Sequence, residues 1–187
     1  MRATLHAPVL DVGDRFPPRE LPSLASGAVR IPDARRLVHL QLRRFAGCPI
    51  CSLHLRSFTL RHDELLAAGV REVAVFHSSR EELEKVHTDL PFAVVPDPDK
   101  HLYAELGVGT SPRAMLDPRA WMAAARAAGA WASKDPTAGM SDGSFGLPGD
   151  FLIAPDGTIL ALKRGVHADD QWSVDELLAA VRATGGR

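Results

Sequence analysis

A chain of 187 residues, 45% hydrophobic and 24% charged with a formal net charge of -1, is long enough to bury a substantial core and too apolar for disorder. Its near-neutral balance, with basic and acidic residues interspersed, argues against nucleic-acid and membrane-surface partners. The N-terminal residues lack the apolar core of a signal peptide and no stretch approaches the ~18–20 apolar residues of a membrane span, so the sequence predicts a cytoplasmic protein.

Residues 1–35 contain Pro8, Pro17, Pro18, Pro22 and Pro32. They read as an N-terminal extension of extended arms and short edge pairings. The run "RRLVHLQLRRF" at 35–45 alternates Leu37, His39 and Gln41 against Val38, Leu40 and Leu42, which predicts a strand with at least one buried face. Beyond Gly47 the apolar positions change period: Leu53, Leu55, Phe58, Leu60, Leu65 and Leu66 recur at helical spacing as far as Gly69. A largely buried strand over 70–79 follows. Ser79 and Glu82 then form a capping box that opens the helix "REELEKVHTDL". Because the two strands are joined through a helix, they are expected to be parallel with a right-handed crossover.

"PFAVVPD" supplies a third short strand, and "KHLYAELGV" a short helix stopped by Gly107. An alanine-rich helix over 119–134 carries Trp121 and Trp131, taken as core packing for a helical insertion near 113–146. Two strands joined through the Pro155-Asp156-Gly157 turn make a hairpin. An amphipathic helix capped by Ser173 and Glu176 closes the chain. The order is β-α-β-α-β, insertion, β-β-α, an α/β fold in a single domain over 1–187.

The two cysteines, Cys48 and Cys51, fall in "GCPIC" at the first strand-to-helix junction. Pro49 suits a first helical position, having no N–H to leave unpaired and a φ already helical. Cys48 then faces the unsatisfied N–H groups and the positive end of the helix dipole, which favour thiolate over thiol. One helical turn separates the pair, so Cys48 reads as the nucleophile and Cys51 as the resolving thiol. Arg43 and Arg44 either lower the thiol pKa further or form a solvated strand end. Two buried apolar cysteines are the plain alternative. A metal site would have to recruit His54 and His62 at an unusual spacing, and haem attachment fails because Ser52 follows Cys51. His77, at the C-terminal end of the second strand, is positioned to line a cleft. Leu147-Pro148, just ahead of the late strand, can hold a cis bond or an ordinary trans turn.

"GCPIC", "VREVAVFHSSREELEK", "VVPDPDKHLYAELGV" and "LPGDFLIAPDGTILALKRG" with "SVDELLAAV" together resemble the thioredoxin fold. More narrowly they resemble the peroxiredoxin-like branch of the alkyl hydroperoxide reductase and thiol-specific antioxidant superfamily, over roughly residues 10–185. The resemblance implies a thioredoxin-like α/β architecture, a central mixed sheet flanked by helices. It also implies thiol-dependent reduction of peroxides or disulfides, with Cys48 attacking and Cys51 resolving. Pro148 would take the cis-proline position and position substrate, and an external dithiol of the thioredoxin or glutathione type would act as reductant. No cofactor or metal is needed beyond the thiols, and a homodimer through the insertion is one arrangement it allows.

The chain departs from peroxiredoxins where they carry a hydroxyl residue and a proline, three and seven residues before the attacking cysteine: here stand Phe45 and Gln41. An arginine expected just ahead of the late strand is replaced by Pro148-Gly149-Asp150, leaving Arg44 or Arg164 as substitutes. Thioredoxins carry Trp before the first cysteine and Gly-Pro between the two, where this chain has Gly47 and Pro49-Ile50. A non-catalytic binding module with a cleft beside Pro148 and the insertion is the competing reading, and a Cys/His metal-binding protein a further one.

Overall fold

The computed structural model describes residues 9–25, 27–111, 117–129, 134–140 and 145–185. In chain order these form β1 (Arg19–Pro22), β2 (Ala28–Ile31), β3 (Leu37–Arg43), α1 (Pro49–Leu60), α2 (His62–Ala67), β4 (Val70–Phe76) and α3 (Arg80–Glu84). There follow β5 (Ala93–Pro96), α4 (His101–Glu105), α5 (Pro118–Gly129), β6 (Gly149–Ile153), β7 (Ile159–Arg164) and α6 (Val174–Thr184).

A five-stranded sheet runs β5-β4-β3-β6-β7, with β1 and β2 in a separate antiparallel pair. β3 pairs parallel with β4, and β4 with β5, whereas β6 lies antiparallel to both β3 and β7. The βαβ unit and the late hairpin are thus as the hydrophobic periods predict, and the sheet is mixed. Each face of the sheet has its own core. Val38, Leu40 and Leu42 of β3 meet Val73, Val75, Phe151 and Ile153, closed over by Tyr103 of α4 and by Val29 and Ile31 of β2. On the opposite face Ile50, Leu55 and Phe58 of α1 join Leu65, Leu83, Ala123 and Leu177 from α2, α3, α5 and α6. Burying both faces makes β3 the centre of the molecule.

The helix expected from Pro49 to Gly69 is two helices. It breaks at Arg61, whose φ is -112°, and whose guanidinium reaches Glu64 at 2.7 Å and Asp175 of α6 at 2.7 Å. Gly69, at φ +76°, then ends α2 in the left-handed conformation that costs glycine least. The helix expected after Ser79 is also shorter, ending at Glu84, and only half of its expected capping box forms: Ser79 Oγ accepts from Glu82 N–H, while the Glu82 carboxylate turns to Lys85 and the Gly139 N–H.

The alanine-rich helix is confirmed as α5, with Ala123 and Ala127 buried. Core packing by Trp121 is not: it is 68% exposed, and Ala123 and Ala127 are the described α5 side chains that face the core. Trp131 lies outside the described residues.

Candidate active site

The dithiol sits where the sequence places it. Cys48 is the N-cap of α1 and Pro49 its first residue, and the Cys48 Sγ accepts a hydrogen bond from Cys51 N–H at 3.4 Å. β3 and β4 deliver the junction to the carboxyl edge of the parallel strands, the usual position for a cleft in such sheets. Tyr103 of α4 fixes this edge, its hydroxyl donating to the carbonyls of both Arg43 and Val75.

Arg44 is a buried neighbour of the dithiol. It is not a solvated strand end but 3% exposed, and its Nη1 lies 3.7 Å from Cys48 Sγ. Burial pushes the Cys48 thiol up. Hydrogen bonding from the Cys51 thiol, the Arg44 charge and the Cys51 and Ile50 N–H groups outweigh that and lower its pKa to about 7. The same surroundings drive Cys51 the other way: burial and the neighbouring Cys48 raise it well above the usual thiol range. The two thiols are thus shifted apart, Cys48 toward thiolate and Cys51 toward thiol, the division that an attacking and a resolving thiol would need. Replacing Arg44 by methionine is expected to raise the Cys48 pKa by about one unit or more, the scale for losing an adjacent opposite charge. The pH dependence of the thiolate ultraviolet absorbance checks this, and an unmoved titration would contradict it.

The loop before Cys48 is held from both sides. Ala46 N–H donates to Ser78 Oγ at 3.0 Å, and the Ala46 carbonyl accepts from His87 Nε2 at 2.7 Å. Neither Ser78 nor His87 is marked by any sequence motif. Their only sign is a cluster of polar residues following a strand whose end faces the dithiol. His77, which does carry that sign, is buried edge-on to Tyr103 with ring centroids 5.6 Å apart. It packs so closely on Gly146 that a Cβ there would lie 2.5 Å from its Nε2.

Below the dithiol, the polar residues of β3 form a buried network. His39, Gln41 and Arg43, all 0% exposed, project between the sheet and α1. His39 Nδ1 bonds Glu72 at 2.7 Å and its Nε2 Asp150 at 3.1 Å. Arg43 Nη2 reaches Asp150 Oδ1 and Gln41 Oε1, each at 2.7 Å, and His54 Nε2 at 3.1 Å. Gln41 in turn donates to Glu72. Phe58 closes the network between the His39 and His54 rings, at 5.5 and 4.8 Å. Burial opposes charge on His39, but Glu72 and then Asp150 overcome it and raise its pKa to about 9. Burial likewise opposes the Asp150 carboxylate, yet Arg43 and His39 hold it well below the usual range. Burial and the Arg43 charge keep His54 neutral.

These histidines give stability a two-sided pH dependence. Burial lowers His87 to about 4, so the unfolded chain takes up a proton first as pH falls below ~6.5, and stability is lost between there and about 4. His39 is raised, so its contribution is fully present below ~6.5 and is lost as pH rises through about 9. Urea midpoints are expected to decline on both limbs, with His87→Gln making the acid one shallower and His54 supplying the remainder. A midpoint that does not move with pH would contradict both shifts.

The remaining candidates separate. Leu147-Pro148 is trans, since Ile31-Pro32 is the only cis bond among the described residues. Pro148 does directly precede Gly149, the partner of Leu42, which puts it at the dithiol edge, and its carbonyl accepts from Gly165 N–H at 2.9 Å. Arg164 does not replace the missing arginine. Its guanidinium is spent on the carbonyls of Leu106 and Leu10 across the other face. Of the histidines considered as metal ligands, His54 turns to Arg43, and His62 lies against Phe92, ring centroids 6.0 Å apart.

The model of the family described as AhpC/TSA antioxidant enzyme matches residues 57–167, more than half of the chain. The protein belongs to the AhpC/TSA antioxidant enzyme family. The match begins beyond Cys51, so within this AhpC/TSA chain the roles of the two cysteines rest on their geometry. No curated protein matches the chain in sequence. Among solved structures, the reduced 2-Cys peroxiredoxin of Plasmodium vivax superposes with a TM-score of 0.68 at 15% identity, over 94% of this chain and 82% of that one. Peroxidoxin BcpB of Mycobacterium tuberculosis gives 0.65 at 16% identity, over 92% and 96% of the two chains. A putative thiol:disulfide interchange protein DsbE of Chlorobium tepidum gives 0.58 at 21% identity, over 92% and 99%. Similarities at this level of identity establish the thioredoxin-like fold that the sequence resembles. No helix among the described residues is long and apolar enough to cross a membrane.

Proposed function

We propose that this AhpC/TSA protein is a thiol-dependent oxidoreductase that works through a Cys48/Cys51 dithiol–disulfide cycle. The carrying observation is the Cys48 Sγ at the α1 N-cap, with the Arg44 guanidinium at 3.7 Å and the Cys51 N–H at 3.4 Å. With a hydroperoxide, the Cys48 thiolate attacks the terminal oxygen and the O–O bond breaks. Cys48 becomes a sulfenic acid and the alkoxide or hydroxide leaves, to be protonated by water. The Cys51 sulfur then attacks Cys48, losing its proton, and water departs as the intramolecular disulfide closes. With a disulfide, Cys48 forms the mixed disulfide and expels one thiolate, and Cys51 expels the other. Two thiols of an external dithiol, of the thioredoxin or glutathione type, return the pair to the reduced form. Arg44 stabilises the negative charge throughout, and Pro148 offers the adjoining edge on which a substrate is positioned.

Rapid mixing of the reduced protein with hydrogen peroxide, an organic hydroperoxide and a protein disulfide, followed by thiol counting, tests the reading. Both free thiols are expected to disappear together with one equivalent of a competent oxidant. Thiols left intact by all three would overturn it in favour of a binding module.

A further inference from the structure

Both sulfurs are fully buried, and the cover over them is specific. Cys48 and Cys51 are each 0% exposed, although Cys48 stands at a helix terminus on the sheet edge, a position open to solvent unless something lies across it. The segment 134–140 sits against the loop that carries Cys48, with Ala138 in the same buried cluster as both cysteines. Gly47, the residue before Cys48, donates its N–H to the Ala138 carbonyl at 2.7 Å. A Cβ on Gly47 would stand 2.2 Å from the Asp135 carbonyl oxygen and 2.9 Å from the Pro136 carbonyl carbon and the Ala138 nitrogen. Backbone meets backbone here, a contact only glycine permits.

The segment is braced internally and tied to the body of the domain. Asp135 Oδ1 accepts from Thr137 N–H at 2.9 Å and from its hydroxyl at 2.7 Å, and Ala138 N–H returns to the Asp135 carbonyl at 3.3 Å. Gly139 N–H donates to Glu82 Oε2 of α3 at 2.8 Å, and Lys134 Nζ pairs with Asp89 at 2.6 Å. Ala138 itself is 3% exposed, so it is pressed onto the dithiol loop.

We infer that the 134–140 segment is a strap that selects substrates by size: a small movement of it admits hydroperoxides to the buried Cys48, whereas a bulky disulfide requires its full displacement. The inference rests on the dithiol chemistry proposed above and specifies its substrate class. The two reactions differ in the room they need. Thiol–disulfide exchange lines up three sulfurs, so the groups on both sides of the substrate's S–S bond must pass the strap. A peroxide delivers a single oxygen to the thiolate and its leaving oxygen needs little more. The Gly47 N–H, the donor nearest Cys48 in the loop, is already taken by the strap and is not open to a substrate backbone. Displacement of such a cover is the ordinary way in which a segment gates a buried site.

Glu82→Ala combined with Lys134→Ala removes both side-chain anchors without touching the dithiol, Arg44 or Pro148. The reduced protein and this variant are treated with methyl methanethiosulfonate, a small probe, and with dithiobis-nitrobenzoate, whose aromatic rings flank its disulfide. Loss of the charged hydrogen bond from Gly139 is expected to speed the aromatic probe by about tenfold while leaving the small probe within about twofold. Equal acceleration of both probes would mean that thiol reactivity changed and not access, and would overturn the strap. So would no acceleration of either in a variant whose melting profile is native. Because thiol modification is read directly, the strap and the oxidoreductase reading fail separately. A shifted probe ratio with no oxidant consumed by either protein would keep the strap and remove the catalytic assignment.

Discussion

Serine in place of Cys48 is expected to lower turnover with every oxidant by roughly a thousandfold or more, the scale of removing a nucleophile, while serine in place of Cys51 leaves the first attack intact. The asymmetry follows from the opposite shifts of the two thiols. Cys48 is held toward thiolate by the Cys51 thiol, Arg44 and the helix N–H groups, whereas Cys51 is shifted toward its protonated form. A hydroxyl at position 48 has no comparable anion at neutral pH. A hydroxyl at position 51 cannot close a disulfide, so Cys51→Ser should accumulate a sulfenic acid or a mixed disulfide on Cys48, identified by mass spectrometry after trapping. Turnover surviving in Cys48→Ser, or the adduct appearing on Cys51 of a Cys48→Ser protein at native rates, would reverse the assignment.

The second large effect lies in the buried network. Arg43→Met leaves the Asp150 carboxylate facing His39 with its guanidinium partner gone, in a site where Arg43, His39 and Asp150 are all 0% exposed. Breaking one side of a buried ion pair costs about 3–5 kcal/mol. At ~2–4 °C per kcal/mol for a domain of this size the midpoint should fall by roughly 10 °C. Asp150→Leu in the same chain is expected to recover part of that loss, because the stranded charge is then absent and the two substitutions are coupled. Thermal melts of the two single variants and the double variant check the cycle. Additive losses, or a single loss below about 1 kcal/mol, would show that the pair is not a unit.

The fold was legible because its signals are local and agree with one another. Pro49 after Cys48, the alternation in β3, the Asp-Gly turn and the two serine caps each point to one element boundary, and each boundary is observed. The break at Arg61 was not legible, since it is held by Asp175, 114 residues away. The β3 alternation carried a deeper ambiguity. His39, Gln41 and Arg43 carry the polarity of a solvent face, and only the arrival of Glu72 and Asp150 from β4 and β6 makes their burial tolerable. Gln41 stands where a peroxiredoxin would have a proline because in this chain it serves Glu72 and Arg43. Arg44 was legible as a candidate by adjacency, but its burial and its 3.7 Å approach to the sulfur arise only in the folded loop.

The bonds that hold the dithiol loop are unevenly distributed along the chain. Upstream of the first sulfur, the Arg43 carbonyl is engaged by Tyr103, the Ala46 N–H by Ser78, the Ala46 carbonyl by His87, and the Gly47 N–H by the Ala138 carbonyl. Downstream, Pro49 has no amide to engage. Closure of the proposed disulfide is therefore expected to draw more on the first turn of α1, whose Ser52 N–H bonds the Cys48 carbonyl at 3.0 Å, than on the anchored segment before Cys48.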